Sequence, residues 1–128
     1  MNGKYLLDTN VIINLLKDEN ATPSFKDKKG VFFVSIITEI ELLSFKNLTN
    51  EDETSINELL PESSIINISK TIKEKTIRLR KDKNVKLPDA VICATAMANN
   101  LTLVTDDERL YNIQDLSVIH LSELINKL

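Results

Sequence analysis

Cysteine is nearly absent. Cys93 is the only one in 128 residues, which excludes an intramolecular disulfide and any cysteine-rich zinc site. Its place in the small apolar run Ala90-Val91-Ile92-Cys93-Ala94 reads as a packing position. Histidine is equally rare: His120 alone, on the last predicted strand and far in sequence from the acids considered below, reads as structural or exposed. Glycine (two) and proline (three) are too few to mark a linker, and no repeat or low-complexity tract is present, so one domain over residues 1–128 is expected. No apolar run approaches the roughly 20 residues a membrane span needs. The start, Met1-Asn2-Gly3-Lys4, leads into a strand-like stretch without a cleavable-signal pattern. A soluble cytoplasmic protein with no membrane contact is the expectation.

What is present is a hydrophobic fraction of 42%, enough for a single core flanked by helices. The net charge of -3 argues at first against a polyanionic partner. The average hides an asymmetry: Lys70 to Lys86 holds eight basic residues against Glu74 and Asp82, a local +6, so the remainder carries -9. By charge alone that stretch is a solvated helix face.

Short apolar runs alternate with helical patterns. Strands are predicted over Lys4–Leu7, Val31–Val34, Ile65–Ile68, Leu101–Val104 and Val118–Leu121. Helices are predicted around Val11–Lys17, Ile36–Phe45, within Glu51–Glu62 up to Pro61, over Thr71–Lys83, from Leu87 and from Ser122. Pro88 suits a first turn and Asp89 the positive end of that helix, while Ala90, Ala94 and Ala98 allow close packing. This alternation predicts an α/β domain with helices packed on a central, mainly parallel sheet of about five strands. In such sheets the functional site lies beyond the carboxyl ends of the strands.

Carboxylates fall at those ends. Asp8 follows the first strand; Asp106 and Asp107 follow the fourth; Asp89 heads a helix; Glu41 sits among Ile40, Leu42 and Leu43. Asp8, Asp89, Asp106 and Asp107 each have an alternative reading as helix-start residues accepting backbone N–H groups. Glu41, in an apolar segment, is harder to explain that way. Acids gathered in a buried place repel one another unless cations neutralise them or protons bind. An all-oxygen set suits Mg²⁺ or Mn²⁺ better than Zn²⁺.

Four segments, in order and spacing, resemble the signature segments of the PIN-domain family, especially its VapC-type toxins. They are Leu6-Leu7-Asp8-Thr9-Asn10, Val34 to Leu43, Leu87 to Ala96, and Leu103-Val104-Thr105-Asp106-Asp107. The resemblance implies a three-layer α/β/α fold and Mg²⁺- or Mn²⁺-dependent endoribonuclease activity, the toxin half of a toxin–antitoxin pair. Carried over onto matching positions, the catalytic and metal-binding acids are Asp8, Glu41, Asp89 and Asp107. Glu41 is chosen over Glu39 because the Ser-x-x-Thr-x-x-Glu spacing runs from Ser35 through Thr38. Asp106, in a variable position, is a further candidate as an outer support or water-mediated ligand. Thr9, Asn10 and Thr105 would support the acids by hydrogen bonds. The usual aromatic beyond the last motif is replaced by Leu110 followed by Tyr111, which bears on packing.

Given an acidic pocket, an RNA substrate needs cations at its rim. Lys86, three residues before Asp89, is the best placed, and Lys73, Arg78, Arg80 and Lys81 would track the backbone. The resemblance also implies a homodimer and a small antitoxin, with Ile12, Ile13, Leu15 and Leu16 divided between core and interface. Other readings are a non-catalytic PIN-fold RNA-binding or assembly module, a flap-type DNA nuclease and a phosphoacceptor receiver domain. The chain is short for the arch and grip of flap nucleases. A receiver needs paired acids after the first strand, where only Asp8 stands.

Overall fold

The computed structural model describes residues 3–17 and 30–127, so the N-terminal reading at Met1 and Asn2 lies outside the described residues. Five strands form one sheet: β1 (Lys4–Leu7), β2 (Val31–Ser35), β3 (Ile65–Ile66), β4 (Thr102–Val104) and β5 (Val118–Ile119). Six α-helices lie among the described residues: α1 (Thr9–Lys17), α2 (Ile36–Leu43), α3 (Asn50–Leu59), α4 (Lys70–Lys83), α5 (Leu87–Ala98) and α6 (Leu121–Lys127). Single 3₁₀ turns span Glu62–Ser64 and Glu108–Leu110.

The strand order is β3-β2-β1-β4-β5, and every pairing is parallel. β1 is central, with Leu6 opposite Phe33 on one side and Leu103 on the other. A strand covered on both faces has no solvent side to mark with polar residues, which is why Tyr5-Leu6-Leu7 is uniformly apolar. Side chains alternate across the sheet. Tyr5, Leu7 and Val104 pack with Val11, Ile12 and Leu15 of α1, Leu42 of α2, Ile56 of α3 and Leu124 of α6. Leu6 and Leu103 pack on the opposite face with Ile72 and Leu79 of α4 and with α5. The result is the three-layer α/β/α arrangement expected from the sequence. Leu103 is fully buried at the middle of this second layer. Leu103→Ala should therefore cost about 3 kcal/mol in a urea titration, by lost transfer energy and the cavity left behind.

Element ends moved by a few residues. The third and fifth strands are shorter than predicted, since each sits at an edge and pairs only with the last two residues of its neighbour. α2 stops at Leu43, where the Ser44 hydroxyl donates to the Ile40 carbonyl and leaves Phe45 half exposed outside the helix. Ile12 and Leu15 are fully buried, while Ile13 and Leu16 are partly exposed. Cys93 is buried, as its neighbours suggested, and burial pushes its thiol up to about 12.

The chain winds outward through β1, β2 and β3, then returns to place β4 on the other side of β1. Connections leave in opposite directions from β1 and β4, so a crevice opens beyond their carboxyl ends. Asp8 and the Thr105-Asp106-Asp107 segment lie there.

Candidate active site

Asp8 leaves β1 with its backbone still in the sheet, its N–H donating to the Val104 carbonyl at 3.0 Å. Its side chain is 4% exposed. Oδ2 accepts the Thr105 hydroxyl at 2.6 Å, and Oδ1 accepts the Thr9 N–H at 2.8 Å. A helix cap would accept from the second or third N–H of the helix. Asp8 accepts only from the first, so helix capping does not account for it. Burial holds its carboxyl above the usual range, the Thr105 and Thr9 bonds work against that, and the charges of Asp89 and Asp107 add to the rise.

Asp89 is the third residue of α5, whose capping residue Lys86 makes no side-chain cap bond. Its carboxyl is also raised, by burial and then by the charge of Asp107, with Arg109 and Lys86 opposing. Glu41 projects from α2 and accepts the Thr9 hydroxyl at 2.8 Å. The Thr9 and Thr38 hydroxyl oxygens are 2.9 Å apart. Because Thr9 gives its single proton to Glu41, Thr38 donates to Thr9. The buried Thr38 thereby fixes the direction of a two-hydroxyl chain ending on Glu41.

Asp8, Glu41 and Asp89 line one cavity of about 550 Å³, together with Thr9, Asn10, Ile13, Ser44 and Phe45. Three acids from distant parts of the chain thus line one cavity at the crevice, with Asn10 among its other lining residues. Asp107 is not on that wall, but its charge is felt by both Asp8 and Asp89. Its N–H donates to the Thr105 hydroxyl at 3.1 Å, so Thr105 ties Asp107 to Asp8.

The neighbouring acid, Asp106, turns elsewhere. It accepts the Leu121 N–H at 3.2 Å, at the start of α6, and pairs with His120 Nδ1 at 3.3 Å. His120 also lies against Tyr111, with ring centroids 4.6 Å apart, and Tyr111 donates its hydroxyl to the Thr105 carbonyl at 2.7 Å. Distance along the chain had hidden this contact of His120 with the acidic segment. Thr9 bonds two of the acids: its backbone N–H serves Asp8, and its hydroxyl serves Glu41.

Lys86 is exposed and close enough to favour the charged forms of Asp89 and Asp107. Ile72, Thr76 and Leu79 bury one side of α4, leaving Lys73, Arg78, Arg80 and Lys81 exposed. None of these four lines the acidic cavity. Arg78 instead joins Lys75, Asp82 and Lys83 around a separate cavity of about 250 Å³. Arg80 makes a long bond of 3.4 Å to the Val85 carbonyl.

Arg109 was missed by the sequence reading. It grips Asp107 with two parallel bonds, Nε to Oδ1 at 2.9 Å and Nη2 to Oδ2 at 2.6 Å, and lies 3.9 Å from Asp89. The grip holds the Asp107 carboxyl below its usual range. The available signal was the Asp-x-Arg spacing across a tight turn. Among the described residues, no three His, Cys, Asp or Glu side chains are grouped as a ready-made ion site. The donor chemistry is nevertheless that of a hard-cation site: the acidic side chains lining the cavity are carboxylates, and neither His120 nor Cys93 lines it.

The sequence over residues 5–116 matches the family model described as the PIN domain. No curated protein of similar sequence was found. The fold is similar to a toxin–antitoxin complex from Klebsiella pneumoniae, with 31% identity, a TM-score of 0.71, and coverage of 90% of this chain and 95% of that one. It is also similar to DNA-bound VapBC from Salmonella typhimurium, with 22% identity, a TM-score of 0.75, and coverage of 91% and 97%. VapBC2 from Rickettsia felis, bound to a promoter DNA fragment, gives 20% identity, a TM-score of 0.74, and coverage of 91% and 98%. At those last two identities the likeness is one of fold.

Proposed function

The chain belongs to the PIN-domain family, and from that premise we propose that it is a divalent-metal-dependent endoribonuclease, the toxin of a toxin–antitoxin pair. The observation carrying this reading is the meeting of Asp8, Glu41 and Asp89 in one cavity at the sheet crevice, with Asp107 coupled to it. Burial of Asp8 without a contacting cation is unfavourable to its charged form, which is the circumstance a bound cation relieves.

Asp8 and Asp89 would be the principal ligands of Mg²⁺ or Mn²⁺, with Glu41 and Asp107 completing the set directly or through water. Asp106, committed to α6 and His120, serves as an outer support. When bound, such an ion lowers the pKa of a coordinated water and stabilises charge on a phosphate. The protein's own contribution is positional. Thr105 and the Thr9 N–H fix both oxygens of Asp8, and the Thr38-Thr9 chain aims Glu41. Lys86 at the rim supplies a cation for backbone phosphate, and the exposed bases of α4 extend that surface.

The antitoxin partner is supported by the likeness to the toxin–antitoxin complex from Klebsiella pneumoniae, whereas the homodimer rests on the family resemblance alone. Phe45 on the cavity wall and the nearby Ile40, both half exposed, offer apolar surface beside the acids. No helix among the described residues is long and apolar enough to cross a membrane.

Matched RNA and DNA oligonucleotides incubated with Mn²⁺ or Mg²⁺ test the reading. Cleavage of RNA to products with 5′-phosphate ends, suppressed by EDTA, is expected. Equal cleavage of DNA would redirect the substrate, and an inert but RNA-binding protein would favour the non-catalytic module.

A further inference from the structure

Among the described residues, Arg109 is the basic side chain within ion-pair distance of Asp107 and Asp89. Its guanidinium engages both oxygens of Asp107 in a fork, its backbone N–H adds a bond to Oδ1 at 3.1 Å, and Nη2 reaches toward Asp89. The arginine side chain is 69% exposed, whereas those of Asp107 and Asp89 are 14% and 25% exposed. The base therefore covers the acids from the solvent side, and nothing of the core has to move for it to leave.

A fork of this kind takes up an in-plane lone pair on each carboxylate oxygen. A divalent ion at Asp107 needs those electrons and is repelled by a guanidinium a few ångströms away. We propose that Arg109 is a displaceable internal counter-ion: it neutralises Asp107 and screens Asp89 in the ion-free protein, and it must release Asp107 when a divalent cation is taken up. Arg109 thus lowers the divalent-ion affinity of the site. It is a positioning residue, acting on the reaction through Asp107. This inference rests on the reading that these acids hold a divalent ion, and it adds what sets the affinity.

The test is a Mn²⁺ titration of the full-length protein at pH 7 and low salt, reading free Mn²⁺ by its electron paramagnetic resonance signal. Arg109→Gln should bind roughly tenfold more tightly than wild type, the scale for removing a unit charge close to a divalent ion in a water-like medium. Arg109→Lys keeps the charge but loses the fork, and its affinity should fall between the two. Ion-free melting curves check the fold; should the glutamine variant fail to fold, the lysine variant must still bind more tightly than wild type. Uptake by Arg109→Gln alone also supports the inference. Wild-type uptake with equal or weaker binding by Arg109→Gln overturns it and leaves the ion reading intact. No uptake by either protein overturns both.

Discussion

Asp8→Asn is expected to lower RNA cleavage by about 10³-fold, the scale on which preorganised electrostatic groups at a reacting phosphate act. The substitution is nearly isosteric, so its effect isolates charge. Asp8 is the most deeply buried of the acids in the cavity, and both its oxygens are held, by Thr105 and by the Thr9 N–H. Asparagine keeps one acceptor for Thr9 but places an NH₂ group where the Thr105 hydroxyl now donates, and it brings no negative charge. The measurement is a single-turnover rate with labelled RNA, on wild type and variant purified identically. Unchanged cleavage would remove Asp8 from the chemistry.

The same substitution should act in the opposite direction on stability. Asp8 and Asp89 both have carboxyls raised in the folded protein, chiefly by burial, so each holds its proton more tightly folded than unfolded. The stability they contribute is complete below the unfolded carboxylate value, near pH 4, and is lost as pH rises through their folded values. Asp107, lowered by Arg109, runs the other way and loses its contribution as pH falls through its folded value. Comparing wild type with Asp8→Asn cancels the groups that do not interact with Asp8, leaving Asp8 and its coupling to Asp89 and Asp107. Without metal, the variant should melt higher at pH 7, with the difference shrinking toward pH 4.

Adding Mn²⁺ should reverse that order. An ion at about 100 times its dissociation constant stabilises the folded state by about 2.7 kcal/mol. For a domain of this size that raises the wild-type melting temperature by about 10 °C. Asp8→Asn, lacking the charge, should gain little. Differential scanning calorimetry at pH 7, with and without Mn²⁺, reads both effects. A wild-type melting temperature indifferent to Mn²⁺ would contradict them.

Much of this was legible in the sequence because central parallel strands and helix faces leave strong patterns. Tyr5-Leu6-Leu7 could only be a strand covered on both sides, and its end fixed the place of Asp8. The spacing from Ser35 through Thr38 to Glu41, read through the family resemblance, picked out the acid of α2 that lines the cavity. Edge strands were less legible: Ile65–Ile68 is apolar throughout, but β3 pairs only as far as Ile66, and pairing length depends on the neighbouring strand. Adjacent acids could not be separated by pattern either. Asp106 and Asp107 alternate sides of an extended segment, and only the fold reveals that one faces α6 while the other faces Arg109. The bases of α4 form a charged face in sequence, yet none of them lines the acidic cavity. Arg109 left only the short Asp-x-Arg spacing as a signal, because its role comes from a three-residue turn that brings it over Asp107.

Calorimetric titration of Mn²⁺ into the ion-free protein at pH 7 addresses the common foundation of these expectations. The account predicts saturable uptake by wild type and its loss in Asp8→Asn and Asp89→Asn. Absence of heat and binding in wild type, or full uptake by both variants, would contradict it.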